Sequence, residues 1–225
     1  MANTETTINA VIHPQLNETL IDIEKTIKAL ERNKFVVHYF ETGAEAVAYL
    51  KNRIQNKCVA IGDSRTLLEI GIHDTLSEVN EDITDIQRPL PGESFRDTAL
   101  RTMGRDVFLT SVNALSQTGE MVNIDGTGNR VAASLFGSQE VFFVLGINKI
   151  TPDLASAIHR ARNVAAPLNS KKNKKSSLNP CATLDEKCYD CGSPDRICNA
   201  LTIYYKKMRN IQTMEIIIIN ESLGF

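Results

Sequence analysis

Residues 121–130 read Met-Val-Asn-Ile-Asp-Gly-Thr-Gly-Asn-Arg and lie between two apolar runs. Asp125 in this stretch and Glu120 just before it are carboxylates. They can act as acid, base or nucleophile if their surroundings split their pKa values. Gly126, Thr127, Gly128 and Asn129 can turn successive backbone N–H groups onto an anion, and Arg130 adds a guanidinium fork. The expected arrangement is a loop at a strand end that holds a small polar ligand. The plainer alternative is a glycine-rich hairpin with solvated charges.

Two other stretches have the same character. Gly62-Asp63-Ser64 follows the apolar Cys58–Ile61 and precedes a helical pattern. Backbone N–H groups there suit a phosphate or carboxylate, although Asp63 or Ser64 would also serve as an ordinary helix cap. Gly146-Ile147-Asn148-Lys149 ends the run Glu140–Leu145 and brings an amide and an ammonium to the same place. His159, Arg160 and Arg162 follow on a helix, either facing the site or on the surface.

A separate chemistry is written in Cys181, Cys188, Cys191 and Cys198, spaced C-x6-C-x2-C-x6-C. Four thiolates can hold zinc or an iron–sulfur cluster, and Pro180, Gly192 and Pro194 supply the turns. The spacing fits neither a ferredoxin run nor a standard zinc finger, and reversible disulfide chemistry is the alternative. Cys58 reads as a buried strand residue.

The elements that must carry these residues follow from periodicity. Leu16, Leu20, Ile23, Ile27 and Leu30 predict an amphipathic helix with Asn17 near its start. Phe35–Phe40 predicts a strand, and Ala46, Val47, Leu50 and Ile54 predict the inward face of a second helix. Cys58–Ile61 predicts a strand, followed by a helix over Thr66–Ile70. Strand, helix, strand, helix is the signature of a parallel sheet with covering helices. Residues 74–100, with Pro89, Pro91 and Gly92, read as a long irregular connection. Asp106–Ser111 and Glu140–Leu145 predict strands, Ala114–Gly119 a turn or short helix, and Pro152 the start of a helix to about Arg162. Ser170–Ser177, rich in lysine, reads as a solvated loop, with an anionic partner as the alternative. Ala200–Lys206 and Thr213–Asn220 predict two closing strands, so the cysteines are expected on an excursion (170–199) from a domain spanning 15–225. Residues 1–14 are expected to form a loose arm.

The 225 residues carry 42% hydrophobic side chains and a formal charge of −2, enough for a sizeable core and no basic field for nucleic acid. No apolar run approaches the ~18–20 residues of a membrane span. The first residues show no basic-then-apolar leader, so the chain is expected in the cytoplasm, where clustered thiols point to metal or redox chemistry. Gly-x-Ser-x-Gly, the P-loop and His-Glu-x-x-His do not occur, so those hydrolase, NTPase and protease classes lose support.

These residues together resemble the LUD domain family of lactate-utilization proteins. The resemblance lies in Gly62-Asp63-Ser64-Arg65-Thr66-Leu67, Thr110-Ser111-Val112-Asn113-Ala114, Thr118-Gly119-Glu120, Asn123–Arg130, Gly146–Ile150, Ala165–Asn169 and Asn220–Phe225. The cysteine segment is similar to a subgroup carrying Cys-x2-Cys followed by Ser-Pro-Asp-Arg-Ile-Cys. The resemblance implies a three-layer α/β, Rossmann-like fold similar to ribose-5-phosphate isomerase, glucosamine-6-phosphate deaminase and CoA-transferases. It also implies lactate oxidation alongside iron–sulfur partner proteins, whose paired ferredoxin-type cysteine runs this chain lacks. The expected site joins Gly62, Asp63, Ser64, Asn113, Glu120, Asp125–Arg130, Asn148 and Lys149 around a small anionic hydroxy acid or phosphosugar-like ligand, with Glu120 or Asp125 moving a proton. The alternative is a metal-bearing accessory or redox-relay subunit. A homo-oligomer is compatible with either reading.

Overall fold

The computed structural model describes residues 21–172, 178–185 and 187–225. The expected N-terminal arm, the Leu16–Leu20 portion of the first helix and most of the lysine run lie outside the described residues.

Helix α1 (Ile23–Arg32) begins where the Asp22 carboxylate accepts from the Lys25 N–H at 2.9 Å. Strand β1 (Val36–Phe40) leads to α2 (Gly43–Arg53), entered through a reciprocal Thr42–Glu45 capping box. Strand β2 (Cys58–Ile61) then runs into α3 (Arg65–Glu69), capped by Ser64, whose Oγ accepts from the Leu67 N–H at 3.3 Å. The stretch read as an irregular connection instead holds α4 (Ile72–Ser77), β3 (Asp82–Asp85) and α5 (Phe95–Arg101). Strand β3 reads Asp-Ile-Thr-Asp and pairs on one side only, so it carries no apolar run to betray it.

Strand β4 (Val107–Thr110) is followed by β5 (Ala114–Ser116), a strand where a turn or short helix was expected. The polar decapeptide is a loop only in its second half. Met121–Asp125 forms β6, buried throughout, and Asn129–Leu135 forms α6. Asn123 is tolerated inside a strand because its Oδ1 accepts from the Asn113 N–H at 3.0 Å and its Nδ2 donates to the Ser111 carbonyl at 3.4 Å. Strand β7 (Glu140–Gly146) and the short β8 (Ile150–Thr151) precede α7 (Leu154–Arg160), capped by Asp153. The helix does not stop near Arg162. It continues through a wide π turn at Ala161–Ala165 into α8 (Ala166–Lys172), so Ser170–Lys172 are helical. After α9 (Pro180–Thr183) come β9 (Ala200–Tyr204) and β10 (Thr213–Ile219).

Six strands form a parallel sheet in the order β1-β10-β7-β4-β2-β3. Ile216, Ile217, Ile218 and Ile219 are completely buried because both faces of β10 are covered, the hallmark of a parallel sheet in an α/β protein. Ile217 and Ile219 join Phe142, Val144 and the apolar faces of α2, α3 and α4. Ile216 and Ile218 join Phe108, Phe143, Leu30 of α1 and Ala133 of α6 on the opposite face. Helices therefore flank the sheet in a three-layer, Rossmann-like arrangement. A second sheet, β8-β5-β6-β9, packs on the α1 side through Leu115, Met121 and Tyr204. Its outer face is closed by Ala157 and Ala161 against Ala114, Val122 and Ile124. This second layer has few strand residues and was not foreseen.

Candidate functional site: a cationic cleft at the strand ends

Parallel strands β2, β4, β7 and β10 all end on the same side of the sheet, where ligands gather in open α/β folds. The segments that follow them, with the turn after β6, enclose a cleft of about 580 Å³. Asp63 and Ser64 come from the first segment, Ser111 and Asn113 from the second, Lys149 from the turn after β7 and Phe225 from beyond β10. Asp125, Gly126, Thr127, Asn129 and Arg130 form another wall, and Ala166, Asn169 and Lys172 of α8 a further one.

Lys149 is the most deeply buried cation that lines the cleft. It is only 3% exposed, and its Nζ donates to Thr66 Oγ1 at 2.8 Å and Ser111 Oγ at 3.0 Å. Neither partner is charged, and among the described residues Lys149 forms no ion pair. Burial, reinforced by Arg160 and Arg130, pulls its ammonium down to about 7. The Glu69 carboxylate acts in the opposite sense, but its oxygens are taken by Arg65 Nε and the Gly224 N–H, each at 2.7 Å. Gly224 adopts φ +62°, and a Cβ there would stand 2.5 Å from Thr66 Oγ1 and 3.2 Å from Lys149 Nζ. Glycine at this position keeps the lysine–threonine pair intact.

Arg160 is a half-buried cation behind the cleft wall. Its Nε donates to the Asn148 carbonyl at 3.0 Å and its Nη1 donates to the Asn113 carbonyl. Burial lowers its guanidinium to about 10. Arg130 donates from Nη2 to the Ile124 carbonyl at 2.6 Å and lies 3.5 Å from Asp125. Arg65, Arg130, Lys149 and Lys172 line the cleft, and Arg65 and Arg130 have carboxylates beside them, Glu69 and Asp125.

The carboxylates expected to do proton chemistry are placed elsewhere or already engaged. Glu120 lies in the turn before β6 and accepts from the Thr118 hydroxyl at 2.5 Å. It does not line the cleft, because five strand residues at ~3.4 Å each put it roughly 17 Å from Asp125. Asp125 Oδ1 accepts from the N–H groups of Thr127 and Gly128 at 3.1 and 2.9 Å, and Oδ2 from that of Val131 at 3.4 Å. Its carboxylate shapes the turn and starts α6.

Other expected contacts are divided. Gly126, Thr127, Asn129, Arg130, Asn113, Asp63, Ser64 and Lys149 line the cleft. Gly128 adopts φ +89° as the N-cap of α6 and is set back from it. Asn148 accepts from the Leu223 N–H at 3.1 Å and so holds the segment after β10. Gly62 backs onto Phe108, whose Cζ a Cβ would meet at 2.9 Å, and lines a smaller hollow beside His73 and Asp85. Thr66 and Ser111 were not singled out as site residues. The signal for Ser111 was its place directly after an apolar strand, the same position as Gly62-Asp63-Ser64.

The four clustered cysteines are free and half-buried, as is Cys58 in β2. Cys181, Cys188, Cys191 and Cys198 line one hollow of about 20 Å³, together with Arg162 and Arg196. Among the described residues no three His, Cys, Asp or Glu side chains are drawn together as a metal-ligating group. Ala166 and Ile197 belong to both this hollow and the cleft, so the two sites share a wall. Among the described residues no helix is long and apolar enough to cross a membrane.

The parallel sheet, with helices on both faces and a cleft at its strand ends, is a three-layer α/β, Rossmann-like fold. The family model of the LUD domain matches residues 23–219, and the chain belongs to the LUD domain family. A solved structure of a DUF162 family protein from Deinococcus radiodurans is similar at 14% identity with a TM-score of 0.50, covering 87% of this chain and 94% of that one. That likeness concerns the fold. A comparison with curated proteins finds no match.

Proposed function

We propose that this chain is a cytoplasmic lactate-utilization protein, an enzyme or enzyme subunit that takes a small anionic hydroxy acid or phosphosugar-like ligand in the strand-end cleft. The observation that carries this reading is Lys149, a buried ammonium bonded among the described residues only to two hydroxyls. A buried charge without a counter-ion is costly, and an anion entering beside it supplies the missing charge. Membership of the LUD family supports the hydroxy-acid class.

In this reading Arg130 and the Gly126–Thr127 turn orient the anion. Lys149 meets it as an ammonium, so it is the charge partner and a proton donor, not the base that Glu120 or Asp125 is expected to supply. Oxidation of a hydroxy acid also needs an electron acceptor, and iron–sulfur partner proteins are the proposed source. A second reading, a metal-bearing accessory subunit, draws on the hollow that the four cysteines share.

Isothermal titration with lactate, pyruvate and ribose 5-phosphate tests the proposal. The expected result is saturable binding of at least one, weakened roughly tenfold or more by Lys149→Met. Failure of all three to bind, or binding indifferent to Lys149→Met, overturns it.

A further inference from the structure

We propose that Cys181, Cys188, Cys191 and Cys198 form a tetrathiolate site for a single zinc-like divalent ion, distinct from the anion cleft. Cys181 comes from α9 and Cys188, Cys191 and Cys198 from the irregular chain between α9 and β9, yet all four line one hollow. Four thiolates are the complete donor set of one tetrahedral zinc-like ion.

The backbone around the hollow is already tied. Arg196 donates from Nε to the Cys198 carbonyl at 3.1 Å and from Nη1 to the Cys191 carbonyl at 2.8 Å. The Cys188 N–H donates to Asn163 Oδ1 at 3.3 Å, and Asn179 Nδ2 donates to Ser170 Oγ at 2.9 Å and the Asp195 carbonyl at 3.1 Å. Little backbone ordering is left for an ion to impose. The surroundings also suit thiolates. The Asp190 N–H lies 3.4 Å and Arg162 Nη2 3.8 Å from Cys188 Sγ, as donors to a charged sulfur would. Arg162 and Arg196 line the hollow with Asp190, which lies 2.9 and 3.7 Å from them, so the lining brings a net positive charge toward a zinc tetrathiolate. Asn179 Oδ1, in the same lining, is buried with no hydrogen-bond partner among the described residues. Binding requires the thiols to turn inward and lose their protons as the ion enters.

The test is elemental analysis of the full chain purified anaerobically under reducing conditions, followed by Co²⁺ titration of chelator-stripped protein. One zinc per chain, and a cobalt form with the intense sulfur-to-metal charge-transfer band of four thiolates, are expected. Cys188→Ser and Cys191→Ser should each weaken that band, and Cys58→Ser should leave it unchanged. Stripped wild-type protein with all thiols reduced that takes up no cobalt overturns the proposal, whatever the variants do. So does iron with acid-labile sulfide, or equal loss of the band in Cys58→Ser. Metal content is read without any ligand, so this test can fail while the cleft proposal stands.

Discussion

Gly126 and Ile197 touch through their backbones: a Cβ built on Gly126 would meet the Ile197 carbonyl oxygen at 2.8 Å and its Cα at 3.1 Å. Asn199 closes the same seam, its N–H donating to the Asp125 carbonyl and its Nδ2 to the Gly126 carbonyl, both at 3.0 Å. The turn that walls the cleft is thus docked directly on the cysteine segment.

Gly126→Ala is expected to force these two segments apart. The neighbour is backbone, which gives way less readily than a side-chain tip, so a cost of about 1–3 kcal/mol is expected. Urea denaturation measures it. A stability equal to wild type would show that the seam opens without penalty.

Anion affinity should depend on pH through Lys149. In the free protein its amine titrates at about 7, so above pH 7 an arriving anion must draw a proton onto it. Affinity is expected to be highest below pH 7 and to fall up to about tenfold per pH unit above it. Titration calorimetry at pH 8 in two buffers of different ionisation enthalpy reads the proton directly, and no uptake would remove Lys149 from the site.

The same group has a sign for stability. Unfolded lysine holds its proton to about pH 10.4, whereas folded Lys149 releases it near 7. The unfolded state therefore binds more protons between these values, and Lys149's contribution to stability rises with pH across that window. Lys149→Met should flatten this part of the stability–pH profile measured by denaturation.

Arg53 of α2 answers two carboxylates buried on neighbouring strands. Its Nε donates to Glu215 at 3.0 Å and its Nη2 donates to Glu140. Tyr49 also donates to Glu215 at 2.8 Å, and burial together with that carboxylate raises its phenol. Arg53→Met leaves buried Glu215 without its guanidinium and Glu140 with only Lys57, 3.7 Å away, with an expected loss on the order of 3 kcal/mol. The double variant with Glu215→Gln should recover part of it in a chemical denaturation series.

Glu120→Gln, in contrast, should leave ligand affinity unchanged. Its carboxylate answers Thr118 at the far end of β6 from the cleft. A several-fold loss of affinity would place the ligand elsewhere.

The legible parts of the chain were those where burial is uniform. Val59–Ile61 and Ile216–Ile219 show their strands plainly because both faces are covered. Lys149 was visible because a lysine directly after an apolar run and a glycine has few structural reasons to be there. The internal partners of Asn123 and Asp125 were not legible for a physical reason: Asn113, Ser111 and the Thr127–Gly128 turn, which take up their polarity, are set by the fold and not by local sequence. Glu120 could not be placed from the sequence, because nothing local records that β6 carries it away from the cleft. Short strands such as β3 and β5 depend on partners far along the chain, and their residues hold little of that information.

Strand β10 lies between β1 and β7, although among the described strands β10 is the last in the chain and β1 the first. During synthesis β1 therefore waits without a partner, and β7 shows a bare edge, until residues 213–219 have left the ribosome. Such long-range closure favours slow folding and prolongs exposure of sticky edges. The four isoleucines of β10 are then the clasp that joins β1 to the rest of the sheet.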